Sequence, residues 1–286
     1  MLKALPRFLC IAILGGSAAL RGQDFFFLQM SDPQFGMYTK NHDFSQETAN
    51  FEFAIATANR LRPAFVVICG DLINEPGDPA QRAEYLRIAH KLDHGIPLYN
   101  VAGNHDVRNE PTPESLAAYR EKFGPDYYTF RQGDFEGFVL DSSLIQHPDK
   151  APEEAARQEQ WLKTELDKAS HAGVHWLVVF QHIPWFLENP EEPDQYFNIP
   201  RAARSRYLEL FQRYGVRYVF AGHYHRNAYG HSPALLVTTT GPVGMPIGPD
   251  PSGIRVVSVA AAKIDSQYYG LGNLPNQIEK DTKPAP

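Results

Sequence analysis

Five short motifs follow one another along the chain: Asp32-Pro33-Gln34, Gly70-Asp71, Gly103-Asn104-His105-Asp106, His182 and Gly222-His223-Tyr224-His225. Between them they offer carboxylates, side-chain amides and imidazoles. Mixed oxygen and nitrogen donors suit borderline divalent cations. In this number they can serve two such ions side by side, an arrangement that clamps a phosphate and acidifies a water. Each motif comes just after a short apolar run that reads as a β-strand. In open α/β sheets, ligands bind in the crevice beyond the carboxyl ends of the strands, and Asp32, Asp71, Asn104, His182 and His223 all fall there. Any one of them could be an ordinary turn residue, because Asp and Asn stabilise turns. Turn formation does not account for the whole set, least of all for two histidines spaced Gly-His-x-His.

The elements that must position these groups are legible from periodicity. Apolar runs predict strands over Phe25–Met30, 64–69, 97–101, 174–180 and 216–221. Helices are expected over 44–61, 79–92, Pro113–Phe123, 152–169 and Arg201–Tyr214. The first carries Phe51, Ile55, Ala58 and Leu61 at helical spacing and is ended by Pro63. A hairpin is expected where 127–131 and 135–141 flank Gln132-Gly133-Asp134, and further strands near 235–240, 254–260 and 263–268. A Pro- and acid-rich loop follows His182, and a Gly- and Pro-rich loop over 241–253 lies near the site. Alternating strands and helices predict parallel βαβ units, with antiparallel pairs from the hairpin and the tail. The expected fold is α/β: two mixed β-sheets packed face to face with helices outside, in a single domain over residues 23–286.

Composition is that of a globular protein with a sizeable core: 43% hydrophobic and 21% charged residues in a chain of 286. The net charge of −6 argues against a non-specific nucleic-acid binder, which needs a basic face. Lys3 and Arg7 precede an apolar stretch over 8–20, and the small residues Ser17, Ala18 and Ala19 lie near its end. These are the parts of a secretory signal peptide, read over residues 1–22 with cleavage between Ala18 and Gln23. The alternatives are a buried N-terminal helix or a membrane anchor, although the run falls short of the ~20 residues a span needs. The expectation is an exported protein, periplasmic or secreted, with no stable membrane insertion after cleavage. Cys10 lies in the leader and Cys69 stands alone, so no disulfide framework exists and Cys69 reads as a buried apolar residue.

The motif order resembles that of the calcineurin-like metallophosphoesterases, from about Phe25 to about Leu274. Ser31-Asp32-Pro33-Gln34-Phe35-Gly36, Phe180-Gln181-His182-Ile183-Pro184 and Gly222-His223-Tyr224-His225-Arg226-Asn227 are similar to the branch called calcineurin-like phosphoesterase domain-containing protein. That branch shares Gln34 where the wider family has histidine. Its described members are cytosolic serine/threonine phosphatases, from which the export signal departs. The resemblance implies a four-layer αββα sandwich and two divalent metal ions, manganese, iron or zinc. It places Asp32, Gln34, Asp71 and His225 on the first, and Asp71, Asn104, His182 and His223 on the second, with Asp71 bridging. A hydroxide held by the pair would attack phosphorus in line. Gln34 offers either a weak amide ligand or hydrogen bonds only.

His105 is the expected proton donor or transition-state stabiliser, oriented by Asp106, with a loop histidine or third ligand as the alternative. Asn74, Asn104 and Asn227 are candidate substrate contacts, although Asn74 could simply turn the chain and Asn227 could support His225. The leading function is a phosphomonoesterase. The alternatives are a phosphodiesterase on cyclic nucleotides or phospholipid head groups, and a catalytically weak phosphate-binding protein. A purple acid phosphatase reading fails because Leu72-Ile73-Asn74, not a tyrosine ligand, follows Asp71.

Overall fold

A computed structural model describes residues 24–278 of the chain. The leader expected over 1–22 lies outside the described residues. The elements, in order, are β1 (Phe25–Met30), α1 (Ser45–Leu61), β2 (Val66–Ile68), α2 (Pro79–Ala89), β3 (Leu98–Asn100), α3 (Asn104–Val107), α4 (Pro113–Phe123), β4 (Tyr128–Gln132), β5 (Phe135–Val139), α5 (Ser142–Gln146), α6 (Pro152–His171), β6 (Trp176–Phe180), α7 (Arg201–Tyr214), β7 (Tyr218–Ala221), β8 (Ala228–His231), β9 (Leu236–Thr239), β10 (Gly253–Val259) and β11 (Ile264–Gly270).

Two mixed sheets result. One has the order β11-β10-β1-β2-β3, the other β4-β5-β6-β7-β9-β8. The strands that deliver the motifs run parallel: β1 with β2, β2 with β3, and β6 with β7. Parallel strands put their carboxyl ends on one edge, so all five motifs emerge on the same side. The hairpin pairs β4 with β5, and the tail adds β10 antiparallel to β1.

The sheets face each other across an aromatic layer. Phe27 packs against Phe65, Phe135, Phe180 and Phe220, with ring centroids between 4.6 and 5.9 Å. Fully burying one such side chain stabilises the fold by about 1.5–3 kcal/mol. Behind the first sheet, Leu28 and Ile68 meet Phe51, Ile55, Tyr85 and Ile88 of α1 and α2. Behind the second, Val179 and Val219 meet Leu162, Leu166, Leu210 and Phe211 of α6 and α7. The layers are therefore αββα, as expected. β2 and β3 are shorter than their apolar runs. β8 has no sequence signal, because Ala-Tyr-Gly-His buries only Gly230 and is held by its pairing with β9.

Candidate metal centre

The motif residues leave their strands through turns that only a packed site sustains. Asp32, Gln34, Asp71, His223 and His225 all have left-handed backbone, with φ of 48°, 37°, 50°, 69° and 54°. Such conformations cost a non-glycine residue about 1–3 kcal/mol each. Cross-loop hydrogen bonds offset that strain: Asp32 N to Gly70 O, Gln34 N to Asp71 O and Gly222 N to His182 O. Two glycines make the approach possible. A methyl group on Gly103 would overlap the backbone nitrogen and Oδ1 of Asp71, and one on Gly222 would overlap Ser31 Oγ and crowd Asp32.

The loops bring two donor groups together. Asp71, His182 and His223 form one, and Asp32, Asp71 and His225 the other, with the atoms of each group within 4.8 Å of one another. Asp71 belongs to both. Its Oδ2 is 3.2 Å from His182 Nε2, and its Oδ1 accepts the His105 amide at 2.9 Å. Asp32 Oδ1 is 3.4 Å from His225 Nε2, and its other oxygen accepts from Ser31 Oγ.

Three backbone carbonyls set the imidazole tautomers. A carbonyl cannot donate, so His182 Nδ1 donates to Cys69 O (2.8 Å), His225 Nδ1 to Met245 O (2.6 Å) and His223 Nε2 to Tyr196 O (3.1 Å). In the neutral ring the remaining nitrogen is then a lone pair. His182 Nε2 lies 2.9 Å from Asn104 Oδ1 and 3.2 Å from His223 Nδ1. Acceptors packed on acceptors repel unless a proton or a cation sits among them. A divalent ion fits this donor set, since one ion satisfies the carboxylate, the amide oxygen and both imidazoles.

Electrostatics agree. Burial alone would raise the Asp71 carboxyl, but the His182 and His105 imidazoles hold it well below the usual carboxylate range. Burial raises Asp32 despite the pull of His225 and His182. Burial and the neighbouring His182 push His223 down to about 3, keeping it neutral. For His182, burial works downward, but Asp71 and then Asp32 lift it to about 9. Metal binding at such a site releases that proton.

Gln34 is buried, and its Oε1 has no hydrogen-bond partner. Its Nε2 donates to Asn74 Oδ1 at 3.1 Å, which fixes the amide orientation and leaves the oxygen as the unsatisfied acceptor. An orphaned buried oxygen of this kind fits a cation ligand. Asn74, the other expected substrate contact near Asp71, is half-buried, and its groups meet protein partners. Its Nδ2 donates to Asn41, and its carbonyl accepts from His105 Nδ1 at 2.7 Å.

Asp106 and Asn227 meet partners other than those expected. Asp106 does not orient His105; the Asn74 carbonyl does. The Asp106 carboxylate instead accepts from the amides of Leu72, Ile73 and Gly103, so it ties two loops together. Asn227, expected as a substrate contact, has its side-chain oxygen engaged within the fold. Its Oδ1 accepts from Arg255 Nη2 (2.6 Å) and Gly241 N (3.2 Å), because a buried arginine beneath it needs acceptors. Asn104 does sit at the centre, with Oδ1 toward His182 and Nδ2 donating to Asn109 Oδ1. Sequence reading missed Asn109, an amide five residues beyond Asn104 with nothing to distinguish it from a turn residue. The 241–253 loop does reach the site, through Gly244 N on Asp32 O and Met245 O on His225.

Comparison with known proteins places this geometry. The profile described as calcineurin-like phosphoesterase matches residues 27–227. The human serine/threonine-protein phosphatase CPPED1 is 38% identical over 274 residues, 90% of this chain and 87% of that protein. The Danio rerio protein of the same name is 35% identical over 275 residues, 91% and 89% of the two chains. Among solved structures, a dimetal phosphatase from Danio rerio superposes with a TM-score of 0.60 at 16% identity, covering 86% of this chain and 99% of that one. Purple acid phosphatase PPD1 from yellow lupin reaches 0.66 at 13% identity, covering 88% and 52%. These two likenesses concern the fold. With its αββα layers, shared Asp71 and paired donor groups, the chain belongs to the calcineurin-like phosphoesterase family.

Proposed function

We propose that this phosphoesterase is a phosphomonoesterase working with two divalent cations, manganese, iron or zinc. The observation that carries the reading is the carboxylate of Asp71 shared between two donor groups. Asp32, Gln34, Asp71 and His225 would hold one cation, and Asp71, Asn104, His182 and His223 the other. When bound, such a pair supplies Lewis acidity for the phosphoryl oxygens and an acidified water.

The chain's own groups supply the rest. The carbonyls of Cys69, Met245 and Tyr196 keep three imidazoles in the ligating tautomer. His105 has its Nδ1–H committed to the Asn74 backbone carbonyl, so Nε2 is the nitrogen that faces the reaction, and it gives a proton to the departing oxygen only from the doubly protonated imidazolium form. Its amide on Asp71 Oδ1 holds that ring beside the donor groups.

The human and Danio rerio relatives are named serine/threonine-protein phosphatases, which supports phosphorylated hydroxyl side chains as a substrate class. The exposed acids Glu188, Glu191 and Asp194 after His182 disfavour long polyanions such as nucleic acid. Among the described residues no helix is long and apolar enough to cross a membrane. The order of basic, apolar and small residues in the leader supports export of the mature chain.

The test is turnover of the chain reconstituted with manganese, iron or zinc, on an aryl phosphomonoester and a bis-aryl phosphodiester. Monoester hydrolysis at least tenfold above the diester rate is expected. A diester preference would overturn the monoesterase reading, and inertness on both would overturn hydrolysis itself.

A further inference from the structure

The loop between β6 and α7 is held by two buried charged side chains. Glu192 accepts from the amides of Leu187 (2.9 Å) and Glu188 (2.8 Å) and from Asn198 Nδ2 (2.6 Å). Arg204 on α7 donates to the carbonyls of Ile199 (3.1 Å), Pro190 (2.7 Å) and Glu192 (3.0 Å). These bonds fix the path of the loop and therefore where Tyr196 stands.

Tyr196 is unusual for an aromatic residue on a braced loop, because it is 56% exposed. It nevertheless touches two candidate metal ligands. Its carbonyl accepts from His223 Nε2, its ring centroid is 4.9 Å from that of His223, and its phenol oxygen is 3.4 Å from Asn104 Nδ2. In the last pair the amide is the donor and the phenol oxygen the acceptor. The phenol proton has no acceptor among the described residues. An O–H donor beside the ligands, on a ring open to solvent, suits an oxyanion arriving from outside.

We propose that Tyr196 is a substrate contact: its O–H donates to a non-bridging phosphoryl oxygen, and its ring flanks the leaving group. This rests on the phosphoesterase reading of the same site. The contact places an aromatic wall on the second-ligand side, so the enzyme discriminates for aryl over small alkyl leaving groups. Such stacking adds to the anchoring of the phosphoryl group itself.

Tyr196→Phe keeps the ring and the carbonyl that holds His223, and removes only the hydroxyl. Inorganic phosphate is titrated calorimetrically into manganese-loaded wild type and variant. A dissociation constant about tenfold weaker in Tyr196→Phe, with manganese stoichiometry unchanged, is the expected result, the scale of losing one hydrogen bond to a charged group. Equal phosphate affinity in the two proteins overturns the contact while leaving the phosphoesterase reading intact. Loss of manganese from Tyr196→Phe also overturns it, since Tyr196 would then act as a prop for Asn104. Wild type that holds manganese but binds no phosphate overturns the underlying reading. In Tyr196→Ala, the ratio of kcat/KM for an aryl to an alkyl monoester falls at least fivefold; an unmoved ratio overturns the role of the ring.

Discussion

Asp106 accepts the Leu72 amide at 3.0 Å, joining the loop that carries Asn104 to the loop that carries Asp71. Its carboxylate also takes the amides of Ile73 and Gly103. Leaving buried amides without an acceptor costs about 1–3 kcal/mol each. Asp106→Ala, which strands three such amides, is therefore expected to lose about 3 kcal/mol or more in urea denaturation and to bind metal less well. His105→Ala, which spares these bonds, should keep its metal and lose turnover by about 10²–10⁴-fold, the range for a general acid. Parallel metal analysis and kinetics separate the two; if Asp106→Ala instead matched His105→Ala, an orienting role would be restored.

Gln34 and Asn74 give a second expectation. The Nε2 to Oδ1 bond between them leaves Gln34 Oε1 facing no protein donor. Imidazole is a better partner than an amide oxygen for borderline divalent ions. Gln34→His should tighten zinc binding by about tenfold or more, and Gln34→Leu should abolish one of two manganese equivalents. Calorimetric titration measures both. Two manganese ions bound normally by Gln34→Leu would mean that the amide is no ligand.

Gly222 separates β7 from His223 and lies against Ser31 and Asp32. Its own nitrogen bonds His182 O, so the chain cannot move away without losing that contact. Overpacking a rigid contact of this sort typically costs about 1–3 kcal/mol. Gly222→Ala should lower the thermal midpoint and weaken metal binding together, whereas Gly173→Ala, where nothing lies within 4 Å of an added methyl, should leave metal affinity unchanged. Its own loss of stability comes from its φ of +68°. Comparable metal affinity in the two variants would count against a steric requirement at Gly222.

Asp141 yields a pH prediction remote from the ligands. It caps α5 through Leu144 N, and its Oδ2 is buried without a partner. Burial, then the charge of Asp126, pushes its carboxyl up to about 8 from the usual 3.8. Between those values the folded chain holds a proton that the unfolded chain has released, so stability falls as pH rises and levels off above about 8. Asp141→Asn removes the dependence. Its advantage over wild type should be near zero at pH 4 and grow by roughly 1 kcal/mol per unit toward pH 8. Urea midpoints at the two ends decide it, and an advantage that stays flat would contradict the assignment.

What the chain's order of residues determined by itself was the set of donors and the strands beneath them. Apolar runs and helical spacing are local signals, so β1, α4 and α7 fall where periodicity puts them, and Asp32, Asp71, Asn104, His182, His223 and His225 do gather. Tertiary structure alone decided how those donors are held. The atoms that set the imidazole tautomers are the carbonyls of Cys69, Met245 and Tyr196, and a carbonyl carries no residue identity to read. The partners of Asp106 and Asn227 were likewise invisible, because the amides that reach Asp106 come from the loops after β2 and β3, and the group that reaches Asn227 is Arg255 of β10, all brought in only by folding. Side-chain chemistry is written residue by residue; which backbone atom faces it depends on how two sheets pack.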